Sequence, residues 1–171
     1  MLSAIDKNTG EAINNGMYSI KPAKSNDASK LSDIASISKA HWGYPQEFVE
    51  PCRDDLMIDP ADCVKGLVFL AEADKSILGF YRISGEAPSG VLEDLFVDPQ
   101  FIGTGVGKVL LRHAMKSARG HGMTSLEIDS DPYAEEFYIH LGATRIGQVE
   151  SSSMPGRFLP KLKLQTVSKI A

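Results

Sequence analysis

The segment Ile102-Gly103-Thr104-Gly105-Val106-Gly107-Lys108 constrains this chain more than any other. Three alternate glycines stand between a strand candidate and the strongest helix candidate. Glycine lets the backbone turn sharply and bring its N–H groups close to a ligand. The helix that follows adds unpaired N–H donors and a partial positive charge at its start. Together these features make an anion site suited to phosphate, with a plain tight turn as the alternative. The helix is read from Gly107, Leu110, Leu111, Ala114, Met115 and Ala118, one apolar stripe at helical period, with Lys108, Arg112, Lys116 and Arg119 largely on the other side. Gly120 and Gly122 stop it.

Elsewhere the hydrophobic period alternates between strand and helix. Strands are expected over 17–22, 66–73, 77–83, 91–97, 124–128, 143–149 and 158–164. Helices are expected from Ser25 onward, over 46–56, after the glycine loop, and from an Asp131 cap and Pro132 to about Leu141. Asp74-Lys75-Ser76 is a tight connection between two strands. The order β, α, α, β, β, β, α, β, α, β, β predicts an α/β chain of the mixed α+β kind. Its sheet would be mixed and mostly antiparallel, of about six to seven strands, with helices on both faces.

The chain has 171 residues, enough for one domain with a core. Residues 1–16 are polar and turn-rich and read as a flexible arm, 17–164 as the single domain, and 165–171 as a polar tail. A net charge of -4 argues against general attraction to nucleic acid or to an anionic membrane. The two cysteines, Cys52 and Cys63, are too few for a disulfide framework and lack zinc spacing, so no metal is expected. Asp6, Lys7, Asn8 and Glu11 interrupt any signal-peptide core, and no apolar run approaches the roughly 20 residues of a membrane span. The expected address is the cytoplasm.

Three phosphate loops compete for the glycines. The nucleotide-triphosphate loop G-x-x-x-x-G-K-(S/T) fails twice, because Ile102 stands at its first glycine and Val109 at its hydroxyl. The dinucleotide fingerprint G-x-G-x-x-G meets Lys108 at its third glycine, although Glu127 follows at a suitable distance for a ribose contact. The third reading rests on a longer run. Leu92 to Leu111, LEDLFVDPQFIGTGVGKVLL, resembles the acetyl-CoA motif of the GNAT acetyltransferase superfamily, (Q/R)-x-x-G-x-(G/A) followed by a helix. Gly105 and Gly107 take its glycine positions, and Ile102 replaces the usual Gln or Arg. Asp131 to Gly142, DPYAEEFYIHLG, resembles the family's N-x-x-A-x-x-(F/L)-Y-x-x-x-G, with Asp131 for Asn. SMPGRFLP (153–160) and HWGYP (41–45) resemble segments of a small GNAT subgroup. The likeness covers residues 17–164 in the family's element order.

The resemblance implies an acetyl-CoA-dependent N-acetyltransferase acting on a primary amine by direct attack in a ternary complex. Backbone of Leu95, Phe96 and Val97 would hold the pantetheine arm, and Ile102, Gly103, Thr104, Gly105, Val106, Gly107 and Lys108 the pyrophosphate. Asp131, Ala134 and Phe137 would flank the cofactor, with helix capping the simpler reading of Asp131. Glu93 is the general base it nominates and Tyr138 the general acid. Strand alternation sends Asp94, the alternative base, to the opposite face, although a bulge would alter that. His41, Trp42, Tyr44, Asp94, Arg157 and Phe158 are the acceptor-side candidates. His113, His121 and His140 read as surface residues. The expected acceptor is a small cationic amine, and the resemblance admits a homodimer. A catalytically silent acyl-CoA-binding module on the same fold is the main alternative, and a dinucleotide-binding enzyme the lesser one.

Overall fold

The computed structural model describes residues 18–65 and 67–167, so the arm expected over 1–16 lies outside the described residues. In chain order the elements are β1 (Ser19–Pro22), α1 (Ala28–His41), α2 (Gln46–Val49), α3 (Pro60–Val64), β2 (Val68–Ala73), β3 (Ser76–Glu86), β4 (Ser89–Val97), α4 (Val106–Gly120), β5 (Ser125–Asp129), α5 (Glu135–His140), β6 (Thr144–Glu150) and β7 (Phe158–Gln165). Among the described residues seven strands form one sheet in the order β1-β2-β3-β4-β5-β7-β6. Every neighbouring pair is antiparallel except β4–β5, which α4 connects as a crossover. The expected mixed sheet is present. Among the described residues the doubly wound parallel sheet of a dinucleotide-binding fold is not.

Helices cover both faces. On one side α1 and α3 pack Leu31, Ile34 and Cys63 against Val68, Leu70 and Phe80 of the sheet. On the other, α4 and α5 pack Leu110, Leu111 and Tyr138 against Tyr81, Leu126 and Leu162. Among the described residues no helix is long and apolar enough to cross a membrane.

Local chemistry explains where elements begin and end. Asp74 and Lys75 have φ of 48° and 66°, so the β2–β3 hairpin closes over two residues in the left-handed region. The helix expected over 46–56 stops at Val49 and gives way to a 3-10 turn over Glu50–Cys52. Pro51 has no N–H to donate and cannot extend an α-helical ladder. The last strand runs one residue past its expected end at 164. Gln165 pairs with Ser125 in the sheet, and the buried Thr166 hydroxyl donates to the Met123 carbonyl at 2.7 Å.

His113 is not a surface residue. It is 1% exposed, lies against Phe69, and its Nδ1 shares a hydrogen bond of 2.7 Å with the Tyr81 hydroxyl. Its side chain belongs to the same face as Val106 and Leu110, and a polar ring is tolerated there because the phenol meets it.

Two irregularities position the site. The β3–β4 register passes from Arg82↔Asp94 to Ile83↔Leu92, leaving Glu93 as the extra residue of a β-bulge. The β4–β5 pair holds for three residues only, Ser89, Gly90 and Val91 against Ser125, Leu126 and Glu127. Beyond them the strands part. Gly90 sits at the closed end, where an added Cβ would run into Met123 and Leu126. Gly79 keeps β3 tight against β4, because a Cβ there would stand 2.7 Å from the Phe96 carbonyl oxygen and 3.1 Å from Leu110. Gly79→Ala is therefore expected to cost about 1–3 kcal/mol. Urea unfolding checks it, and an unchanged midpoint would contradict the packing described.

Candidate active site

A cavity of about 970 Å³ occupies the gap where β4 and β5 diverge. Leu92 to Val97 of β4 line it, and on the β5 side no described strand pairs with them. Backbone N–H and C=O groups along that edge are thus open to an extended ligand. Leu95, Phe96 and Val97 are on this stretch.

The glycine loop borders the same cavity through Ile102, Gly103, Gly105, Gly107 and Lys108. Gly103 and Gly105 have φ of 82° and 92°, a region that L side chains rarely adopt. Gly105 is the residue before α4, so the free N–H groups of the first helical turn begin at this loop. Val106 is buried in the core, and the Thr104 hydroxyl donates to the Phe101 carbonyl at 2.5 Å. Neither Thr104 nor Val106 is among the residues that line the cavity.

The bulge corrects the alternation expected for Glu93 and Asp94. Both line the cavity. Glu93 is exposed and accepts a hydrogen bond from Ser84 Oγ at 2.5 Å. Asp94 is 7% exposed and accepts from Arg82 Nε at 2.6 Å, while Arg82 Nη1 donates to Asp62 at 3.1 Å. Burial pushes the Asp94 carboxyl up, and Arg82 offsets part of that. Tyr138, on α5, is buried and lines the cavity. Burial, then the charges of Asp94 and Asp131, push its phenol up, so it stays protonated through the neutral range. Ala134 and Phe137 line the cavity beside it.

Asp131 is the junction of three stretches distant in sequence. It caps the turn into α5 by accepting from the Tyr133 N–H at 3.0 Å. It also accepts from Lys39 Nζ at 2.6 Å and from the Tyr44 hydroxyl at 3.0 Å, and Arg157 approaches to 3.8 Å. Burial works against its charge, but the bonds from Lys39 and the Tyr133 N–H hold it below the usual carboxylate range. Tyr44 is pushed up by burial and by Asp131.

A family model described as the acetyltransferase (GNAT) domain matches residues 47–153. The chain belongs to the GNAT acetyltransferase family. It is 35% identical over 86 residues to the 5-NmdU N-acetyltransferase of Pseudomonas phage PaMx11, a stretch covering 49% of this chain and 61% of that protein. It is 27% identical over 88 residues to the uncharacterized N-acetyltransferase ycf52 of Gracilaria tenuistipitata var. liui, covering 51% and 48%. These matches thus span 48% and 61% of the length of the curated relatives. In fold it is similar to the PaiA N-acetyltransferase of Thermoplasma acidophilum in complex with coenzyme A. There the TM-score is 0.71 at 19% identity, covering 86% of this chain and 98% of that one.

Within this GNAT domain the acceptor-side candidates divide. Trp42, Asp94 and Arg157 line the cavity, whereas His41, Tyr44 and Phe158 do not. His41 stands edge-on to Trp42 at 5.6 Å, Tyr44 is engaged by Asp131 and Arg157, and Phe158 is 51% exposed at the start of β7. Sequence reasoning missed Arg82, Lys39 and Tyr133, all of which line the cavity. Lys39 and Tyr133 neighbour residues already singled out. Arg82 carried no signal, because its partner is set by the bulged register.

The depressed Asp131 carboxyl makes a pH prediction. Its stabilisation is fully present above the unfolded value near 3.9 and is lost as pH falls through the lower folded value. Asp131→Asn is expected to lower the urea midpoint at pH 7 and to flatten its decline below about pH 4. Parallel wild-type and variant curves across that range would contradict the assignment.

Proposed function

We propose that the chain is an acetyl-CoA-dependent N-acetyltransferase that moves the acetyl group to a primary amine of a small cationic molecule. The observation that carries the reading is convergence on one cavity of four features: the open β4 edge, the glycine loop at the start of α4, Glu93 and Tyr138. The named N-acetyltransferase relatives and the coenzyme A complex of the PaiA structure point the same way.

In this reading backbone N–H groups from Gly103 to Lys108 hold the pyrophosphate, as helix starts hold phosphates. The β4 edge at Leu95 to Val97 pairs with the pantetheine arm, and Asp131, Ala134 and Phe137 flank it. Acetyl-CoA supplies an activated acyl group as a thioester. An alkylamine is mostly protonated near neutral pH, so it must lose a proton before it attacks. Glu93, exposed to the cavity at the bulge, takes that proton through water. Tyr138, held protonated by burial, gives one to the departing thiolate.

Charge bookkeeping supports a cationic acceptor. Lys39 and Arg82 are each paired with a carboxylate, Asp131 and Asp94, and Arg157 lies beside Asp131. Asp54, Asp55, Glu93 and Glu150 also border the cavity, and no ion pair is made by them across it among the described residues. The acceptor side is left acidic.

Acetyl transfer from radiolabelled acetyl-CoA to a panel of primary amines tests the proposal. Transfer is expected to be led by cationic amines, with Glu93→Gln and Tyr138→Phe each lowering kcat by about 10²- to 10⁴-fold. Binding of acetyl-CoA without transfer to any amine would replace the enzyme by a silent acyl-CoA-binding module. A panel led by neutral or acidic amines would remove the cationic assignment.

A further inference from the structure

Trp42 and Tyr133 line the cavity with their rings parallel, 4° between planes and 5.6 Å between centroids. That separation exceeds full overlap at a contact distance of about 3.5 Å, so the rings are offset and each keeps open face. Trp42 is 40% exposed and Tyr133 58%. Large aromatic faces left open in a concave site mark binding surfaces.

The pair is held from behind. Trp42 is the residue that ends α1, and Gly43, at φ 79°, reverses the chain directly after it. Tyr133 gives its backbone N–H to Asp131 and stands edge-on to Tyr44 at 5.5 Å. Tyr44 in turn is bonded to Asp131 and stacked on Phe48 at 4.7 Å. Cations already occupy the neighbouring rings. Lys39 lies over Tyr44 at 4.9 Å, and Arg157 lies over Tyr44 and Phe48 at 5.2 and 4.7 Å. Among the described residues no cation lies over Trp42 or Tyr133. Aromatic faces that are rigid, solvent-open and free of a cationic partner suit a planar ring.

We propose that the Trp42–Tyr133 pair is a stacking platform for a planar aromatic group carried by the acceptor amine. This rests on the acetyltransferase reading and narrows its acceptor to arylalkyl or heteroaryl amines. Trp42 acts as a specificity residue and takes no part in proton transfer.

Trp42 is the only tryptophan in the sequence, so intrinsic indole emission reports on the platform alone. The probes are 2-phenylethylamine and its saturated counterpart 2-cyclohexylethylamine, matched in charge and chain length. With the protein saturated in coenzyme A, 2-phenylethylamine is expected to change the emission at concentrations where the saturated amine does not. In turnover, kcat/KM should favour the aromatic amine by about tenfold or more. Trp42→Leu should bring that ratio near one, Trp42→Phe should keep most of it, and the acetyl-CoA thermal shift should stay the same in both. Equal responses to the two amines would overturn the proposal, as would a ratio that survives Trp42→Leu. It also falls if adenosine 3′,5′-diphosphate alone moves the emission and Trp42→Leu weakens acetyl-CoA binding, because the platform then serves the cofactor's adenine. If neither amine is acetylated, the acetyltransferase reading is what suffers, and the emission titration still decides the platform.

Discussion

A parallel strand pair that comes apart after three residues is the constraint on which the rest of this structure depends. Were β4 and β5 paired along their length, their hydrogen bonds would close the sheet and no cavity would exist. Instead Gly90 clamps them at one end by close backbone approach, and the strands separate toward the glycine loop and the start of α5. Backbone groups along Leu92 to Val97 are left open in a half-buried place, where unmet hydrogen-bonding capacity is costly. The domain thus folds around an interruption in its own sheet, and the family likeness gives that interruption its meaning.

Around the gap the chain arranges charge economically. The bulge at Glu93 turns two consecutive carboxylates into one cavity and lets Arg82 bind the more buried of them. Breaking such a pair by removing one partner leaves a buried charge uncompensated, which is far more costly than the pair is stabilising. Asp131 plays the same part across the gap. It caps the turn into α5 and anchors α1 through Lys39, the turn after α1 through Tyr44, and the β6–β7 connection near Arg157. Three stretches distant in sequence, around residues 39–44, 131–133 and 157, share one carboxylate, so the cavity walls are held together by an ion-pair junction and not by apolar packing alone.

What was legible in the sequence follows from range. The glycine loop, α4 and the tight connection after Ala73 depend on neighbours within a few positions, and the structure places them close to the reading, with Ser76 already in β3 and only Asp74 and Lys75 in the turn. Most strands were found with ends shifted by a few residues, because β-pairing sets ends and periodicity does not. His113 was misread because the apolar stripe on α4 was drawn from apolar residues only, whereas the Tyr81 phenol makes a buried imidazole acceptable. The same limit hid the Arg82–Asp94 pair, whose partners meet through a register that one extra residue shifts. The acceptor-side candidates of the HWGYP stretch lie in different surroundings. Trp42 reaches the cavity, while Tyr44 is spent on the Asp131 junction.

The central claim is that the gap beside β4 is a coenzyme A site. Thermal unfolding of the protein with acetyl-CoA, and separately with NADPH and with ATP, tests it most directly. At about 100 times its dissociation constant a ligand stabilises the fold by roughly 2.7 kcal/mol, several degrees for a domain of this size. The account predicts that shift with acetyl-CoA and none with the other two. A shift with NADPH or ATP and none with acetyl-CoA would contradict it, leaving a phosphate-binding loop on a fold whose ligand had been misassigned.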